Sequence, residues 1–357
     1  MCACRPGAPN GPDDRLAPIT SFAMPPTVSI VVPCYNEEGT IGFLLDAILR
    51  QSFPRPEMEV VIADGLSSDR TQAVISGFGK AHPDLALRLV ENGRQTIPSS
   101  LNLAMREARG EFLIRLDAHS IPIPEYVERC VQDLRAGKGT NVGGVWKIEP
   151  GGSGWIARGI AAAASHPLGA GDALYRLGAP AGPVDTVPFG AFRRQLLDQV
   201  KGFDETLLTN EDYEFNVRIR RSGGVVWLDP QIVSTYFARD TLRGLATQYW
   251  RYGYWKCRML LRYPKTIRWR QALPPLFVGA MLCMAVGATF WLPAVRALVL
   301  ATCTYLVAIL GAGIAAGLRA RDGLLILGSM LALATMHLAW GSGFLWSLAT
   351  SLVESHG

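Results

Sequence analysis

No C-x-x-C pair occurs among the seven cysteines of this 357-residue chain, which argues against a disulfide framework or a zinc site and makes the soluble part read as cytosolic. No G-x-G-x-x-G follows the first apolar run, Val28 to Val32, and no P-loop sequence occurs, so a dinucleotide dehydrogenase and a P-loop ATPase are disfavoured. The first 26 residues contain no apolar h-region. Rich in Pro, Gly and Asp, residues 1–26 read as a flexible leader and not as a signal peptide. Between Thr241 and Gln271 there is no acid at all, whereas eight Arg and Lys residues fall there.

Apolar residues make up 49% of the chain and gather in its last quarter, so a soluble domain followed by a membrane part is expected. Leu273 to Leu292, Ala297 to Leu318 and Leu324 to Leu348 each approach the roughly 20 residues that cross a bilayer core. This assigns residues 273–357 to three membrane helices. The acid-free stripe before them carries interleaved aromatics such as Tyr249, Trp250, Trp255 and Trp269, a composition that suits a membrane surface better than nucleic acid. Residues 239–272 are therefore expected to be basic, aromatic interface helices. That segment and the second hairpin, with Arg319 and Arg321, should face the cytosol, and the C-terminus should lie on the other side. His337, inside the third span, is a functional candidate by position and a helix contact by the blander reading.

In residues 27–238, short runs of branched residues (28–32, 59–63, 87–90, 111–116) alternate with helical patterns (40–51, 69–81, 98–108, 124–134). That order predicts an α/β domain with a mostly parallel sheet whose strands are buried on both faces, and with ligands beyond the strands' carboxyl ends. The loops there are "PCYNEE", "DGLSSD", "NGRQT" and "DAHS". In "DAHS", Asp117 and His119 share a face if the strand continues; they either reach one ligand or metal ion together or form a solvated strand end. Asp64 leaves a buried run, where it can accept from a base N–H, and Asp69 can cap the next helix. In "NEDYEF", Glu211 and Asp212 are either the acidic first turn of a helix or the carboxylates of a proton-transfer site.

"VSIVVPCYNEE", "EVVIADGLSSDRT", "GEFLIRLDAH" and "GFDETLLTNEDYEFNVRIRRSG" resemble, in order and spacing, the motifs of the inverting glycosyltransferases of family 2, with a GT-A fold. With "VDTVPFGAFRRQLLDQVKGFDE" and the membrane part, the chain looks most like the glucosyltransferases of succinoglycan-type exopolysaccharide assembly. The resemblance implies a mostly parallel mixed sheet followed by transmembrane helices. It also implies an enzyme of the bacterial inner membrane, catalytic domain in the cytoplasm, moving sugar from a UDP-sugar to a lipid-linked (polyprenyl diphosphate) saccharide. Other polysaccharide assembly proteins would be possible partners, and nucleic acid would not. Carried across, Pro33, Tyr35 and Glu37 border the uracil pocket, Asp64 bonds the uracil, and Asp117 holds the ribose–diphosphate region. Asp117 and His119 would ligate a divalent metal, Mn2+ or Mg2+, with His119 where the family usually has Asp. Asp212 would be the general base and Glu211 an acceptor-positioning residue. "QYWRY" resembles a Q-x-x-R-W motif, placing Gln248 and Arg251 near diphosphate or acceptor, with Tyr252 in place of Trp. A polyprenyl-phosphate sugar synthase and a non-catalytic nucleotide-binding membrane scaffold are the alternatives.

Overall fold

The computed structural model describes residues 25–354, so the leader expected over 1–26 lies almost wholly outside the described residues. The first half of the α/β domain runs β1 (Val28–Cys34), α1 (Ile41–Leu49), β2 (Met58–Asp64), α2 (Thr71–Ala81), β3 (Ala86–Glu91), α3 (Ile97–Glu107), β4 (Phe112–Arg115), β5 (Ser120–Pro122) and α4 (Tyr126–Arg135). It continues through β6 (Asn141–Pro150), α5 (Trp155–Ala164), α6 (Pro167–Ala170), α7 (Leu174–Leu177), β7 (Gly182–Pro183), β8 (Ala191–Arg193), α8 (Leu196–Val200), α9 (Glu211–Arg221) and β9 (Val226–Ala238). The sheet order is β3-β2-β1-β4-β8-β6-β9-β5, with β7 on β9. β1, β2, β3 and β4 pair in parallel, whereas β8 runs antiparallel between β4 and β6, giving the mixed sheet.

The two-residue period of the central strands divides their side chains between two cores. Ile30, Val32, Val60, Ile62, Phe112 and Ile114 enter the core under α1 and α4. Val31, Val61, Ala63 and Leu113 enter the one under α3, α8 and α9. β3 departs from the expectation of strands buried on both faces: its residues are half-buried or exposed, because it is the sheet edge and has a neighbour on one side only.

The sequence continues in α10 (Leu242–Arg262), α11 (Trp269–Gly287), α12 (Leu292–Ala320) and α13 (Gly323–Glu354). The last three are long and apolar enough to cross a membrane. The first begins and ends a turn earlier than expected, carries Pro274 and Pro275 internally, and stops at Gly287. α5, α10, α12 and α13 share one apolar core containing Ile160, Leu245, Ile309 and Met336. Close helix crossings hold it: a Cβ at Gly253 would stand 2.1 Å from the Trp340 carbonyl oxygen, and one at Gly343 2.2 Å from that of Trp250. The basic stripe is accordingly only in part a lipid-facing surface. Lys256 is buried, Arg262 pairs with Asp204 at 2.5 Å, and Arg268 and Arg270 reach Asp172 and Asp185. The acids missing from the stripe come from elsewhere in the chain.

Candidate active site

The parallel strands β1, β2 and β4 end side by side, and their following loops interlock. Asn36 takes a left-handed backbone, φ +53°, and Leu66 does the same at +60°, both in the loops that leave β1 and β2. Asn36 N–H donates to Ser67 Oγ at 2.8 Å, and Asn36 Oδ1 accepts from Ser68 N–H at 2.8 Å. Asp64 is fully buried; its carboxylate accepts from Ser67 N–H at 2.9 Å, from Gln72 Nε2 at 2.7 Å and from the Ser67 hydroxyl. Asp69 accepts Thr71 N–H at 3.0 Å at the start of α2. Tyr35 is half exposed beside Gly65, whose lack of a side chain leaves room for the ring.

Beyond β4 the backbone does not continue as a strand. Residues 117–120 form a turn, closed by Ser120 N–H on the Asp117 carbonyl at 2.9 Å, so Asp117 and His119 do not share the face of an extended strand. Their side chains are instead set by partners. Arg115 Nη2 donates to Asp117 Oδ1 at 3.2 Å and to Glu211 Oε1 at 2.9 Å. His119 Nδ1 lies 2.9 Å from Glu37 Oε1. Burial pulls the His119 imidazolium down, but the Glu37 hydrogen bond and the Asp117 and Glu37 charges outweigh it and raise its pKa above the ordinary value. Burial likewise opposes charge on Arg115, and Asp117, Glu211 and Asp212 together reverse that effect, so Arg115 stays charged.

α9 begins at the end of this chain of charges. Asn210, its N-cap, sits at φ +67° and donates Nδ2 to the Tyr252 carbonyl at 3.3 Å. Glu211, Asp212 and Glu214 occupy the first turn, where the helix dipole favours acids, and Arg218, Arg220 and Arg221 the last. Burial pushes the Glu211 carboxyl up, Arg115 pulls it back, and the neighbouring Asp212 charge adds to the rise. Glu211 is 5% exposed and spent on Arg115, whereas Asp212 is half-buried, makes no ion pair among the described residues, and accepts only the Tyr213 N–H at 2.7 Å. The adjacent acids therefore differ: Glu211 is held by Arg115, whereas the Asp212 carboxylate keeps acceptor capacity on the cavity wall.

A cavity of about 1050 Å3 opens over these groups. Asp117, His119 and Asp212 line it together with Phe277, Tyr305 and His337 of the three apolar helices. Also on its wall, Trp146 stacks on Tyr236 with ring centroids 4.2 Å apart, and Gln248 Nε2 donates to the hydroxyls of Tyr236 at 3.1 Å and Tyr252 at 3.0 Å. His337 joins α13 to two other elements. The Leu168 carbonyl can only accept, so Nε2 donates to it at 2.8 Å, which leaves Nδ1 for the Tyr305 hydroxyl at 3.0 Å. His337 thus ties α6 to α12 and α13, and the helix-contact reading is the one that fits.

Of the residues expected at the site, Asp117, His119, Glu211, Asp212, Gln248 and Arg251 line this single cavity. Pro33, Tyr35, Glu37 and Asp64 lie outside its lining, at the ends of β1 and β2, with Glu37 turned toward His119. Sequence reasoning missed Arg115, Arg176 and Lys256. Arg115 had a signal, a lone charge inside the apolar run "EFLIRL". Lys256 was hidden by the stripe around it.

Among the described residues no group of three His, Cys, Asp or Glu is placed to hold a metal. Two donors are available: the Asp117 carboxylate oxygen that Arg115 leaves unengaged, and His119 Nε2. A carboxylate on the far ring nitrogen, as Glu37 is, orients a metal-binding imidazole. The donor set fits a divalent ion that takes its remaining ligands from a diphosphate and water.

Comparisons with known proteins agree with this geometry. The model of glycosyl transferase family 2 matches residues 29–201, and that of glycosyl transferase family 21 matches residues 170–355. The chain is 30% identical over 321 residues to the succinoglycan biosynthesis protein ExoA of Rhizobium meliloti (strain 1021), across 88% of this chain and 93% of that protein. It is 28% identical over 250 residues to the dolichyl N-acetyl-alpha-D-glucosaminyl phosphate 3-beta-D-2,3-diacetamido-2,3-dideoxy-beta-D-glucuronosyltransferase of Methanococcus voltae, across 68% and 76% of the two chains. Among solved structures, the mannosyltransferase PcManGT from Pyrobaculum calidifontis, in complex with GDP-Man and Mn2+, superposes with a TM-score of 0.61 at 22% identity, covering 93% of this chain and 91% of that one. That likeness shows the GT-A-like fold.

Proposed function

The chain belongs to glycosyl transferase family 2, and we propose that it transfers a sugar, with inversion, from a UDP-sugar such as UDP-glucose to a polyprenyl-diphosphate-linked saccharide in exopolysaccharide assembly. That it is a glycosyltransferase of polysaccharide or glycolipid biosynthesis follows from the family and the relatives; donor and acceptor are our reading. The observation that carries it is the single cavity lined both by carboxylates and by residues of the three membrane-length helices, a combination suited to a substrate with a sugar head and a lipid tail.

In this reading the base lies against Tyr35 on the interlocked loops after β1 and β2, with Asp64 holding the second loop in shape and Pro33 on the same side. The diphosphate reaches Asp117 and His119. A divalent ion bound there would neutralise charge on the departing diphosphate. Asp212 takes the proton from the acceptor hydroxyl as that oxygen attacks the anomeric carbon from the face opposite the leaving group. Glu211, locked to Arg115, keeps Asp212 in place and does not compete for the proton. Arg251 faces the cavity mouth with Gln248 one turn before it, on the acceptor side. The three apolar helices would hold the enzyme in the bacterial inner membrane, catalytic domain in the cytoplasm.

The deciding experiment supplies membranes containing the protein with a panel of radiolabelled nucleotide sugars and a bacterial lipid extract. Label appearing in a lipid-diphosphate disaccharide supports the reading. Label confined to a lipid-monophosphate sugar would replace it with a polyprenyl-phosphate sugar synthase.

A further inference from the structure

One guanidinium holds two carboxylates that the reaction uses differently. Arg115 Nε and Nη2 both donate to Asp117 Oδ1 at 3.2 Å, and Nη2 also donates to Glu211 Oε1 at 2.9 Å. Nη1 is buried with no partner among the described residues, so the hydrogen bonds that fix the guanidinium are those to the two carboxylates. The Phe203 ring, its centroid 5.8 Å from Arg115 Cζ, supplies a packing face and no further bond. All three charged side chains stand on the cavity wall, but their access differs: Asp117 is 25% exposed, Glu211 7% and Arg115 5%.

A single positive charge therefore serves both acids. The bonds to Asp117 are the longer ones, beyond the 2.7–2.9 Å usual for a charged pair, so Asp117 is the side that yields. Asp117 engaged by a divalent cation through its unengaged oxygen has less charge to offer Nε and Nη2, and the guanidinium then belongs to Glu211. Glu211 is the first residue of α9 and Asp212 the second, so whatever holds Glu211 holds the turn that carries Asp212. The relation also runs backwards. If Glu211 loses its charge, Arg115 is left to Asp117, where it opposes a cation; linkage makes the two effects equal in free energy.

We propose that Arg115 is a positioning residue that couples the donor's metal site to the general base, passing its guanidinium to Glu211 when Asp117 is engaged and so fixing the turn that bears Asp212. The proposal rests on the reading above, in which Asp117 takes metal and diphosphate and Asp212 takes the proton. It goes further in making the two sites one unit, joined through this side chain.

The test uses the full chain in detergent and calorimetry of UDP with and without Mn2+; the readout is the ratio of the two affinities. Glu211→Gln should lower that ratio by about threefold or more, although Glu211 is assigned to neither nucleotide nor metal. Asp212→Asn removes a neighbouring charge but no bond to Arg115, and should change the ratio by less than about twofold. In an Arg115→Gln background the Glu211→Gln change should leave the ratio where it was, because the group that connects them is gone. Should Arg115→Gln not fold, the native protein, Glu211→Gln and Asp212→Asn decide between them. Equal ratios in those three, an equal drop in Asp212→Asn, or a drop that persists without Arg115 would each overturn the coupling, as would a lowered melting temperature in Glu211→Gln with no change in the ratio, the mark of a purely structural pair. The readings separate. A native protein whose UDP binding ignores Mn2+ loses the metal reading and the coupling together; a Mn2+ effect indifferent to Glu211→Gln sinks the coupling alone; and coupling without transfer to extracted lipids sinks the proposed function alone.

Discussion

Arg115 and Glu211, 96 positions apart in sequence, meet at 2.9 Å, and that one ion pair sets β4 against the first turn of α9. Both side chains are nearly removed from solvent. Breaking the pair from the basic side leaves Glu211 buried and uncompensated. Arg115→Met should therefore destabilise the protein by about 3–5 kcal/mol. The double variant Arg115→Met/Glu211→Met should recover much of that loss. Thermal unfolding in detergent measures both, and additive losses would mean that the pair is not coupled.

Asp212→Asn keeps the size and hydrogen-bonding reach of the side chain and removes its ability to accept a proton. Transfer should fall by about 10²-fold or more while UDP affinity stays within a few fold. Glu211→Gln should be milder, since the amide can still accept from Arg115. Transfer rate and UDP binding, measured on both variants, decide; simultaneous loss of binding and transfer in Asp212→Asn would remove it from the role of base.

His119→Ala should abolish any strengthening of UDP binding by Mn2+, whereas His119→Asp, which restores a carboxylate, should keep it. Glu37→Gln should weaken the effect by about 10-fold or more, because the imidazole loses the carboxylate that orients it. Calorimetry with and without Mn2+ reads all three. Equal metal enhancement in native protein and His119→Ala would strike His119 from the ligand set.

Lys256 makes stability depend on pH in a defined direction. Its folded pKa is lowered to about 7 from 10.5, so between those values the unfolded chain binds more protons than the folded one. Stability from this group therefore rises as pH increases from about 7 toward 10.5, by at most about 1.4 kcal/mol per pH unit. Lys256→Met should be more stable than the native protein near pH 7, with the gap closing toward pH 10. Melting curves at several pH values check this; a gap that widened with pH would contradict a buried, unpaired lysine.

Gly253→Leu should push α10 off α13, because the new side chain would start 2.1 Å from the Trp340 carbonyl oxygen and 3.0 Å from Phe344 N. Membrane insertion should persist, since α11 to α13 are unaltered, while transfer activity falls sharply. Membrane fractionation beside an activity assay distinguishes this from a general failure to fold.

The parts of the fold legible in the sequence are those specified locally. Val28–Cys34, Met58–Asp64 and Phe112–Arg115 are short, mostly apolar runs rich in branched residues, and α1 to α4 carry helical periodicity, so each announces itself within about ten residues. The strands β5, β7 and β8 span three residues or fewer and exist only through distant partners, such as Ile121 opposite Thr235. Nothing local marks them. The site divides the same way. Asp117, His119 and Asp212 stand out by motif, but Arg115 gains its meaning from Glu211, and Lys256 becomes unusual only because it is buried against the Tyr213 ring. Glu37 looked like a wall for the base until the fold turned it onto His119.

The shared core of α5, α10, α12 and α13 bolts the reaction centre to its anchor at two glycine crossings. An enzyme tethered by a slack linker could sample many heights above a bilayer; with α11 to α13 spanning one as proposed, this enzyme would work at a single elevation. In the proposed reaction, a carrier-bound glycan must then bring its terminal hydroxyl to that level. One that is too short falls beneath Asp212, and one that is too long overshoots it. Rigidity of the mount would thus act as a ruler, sorting acceptors by the number of sugars already attached.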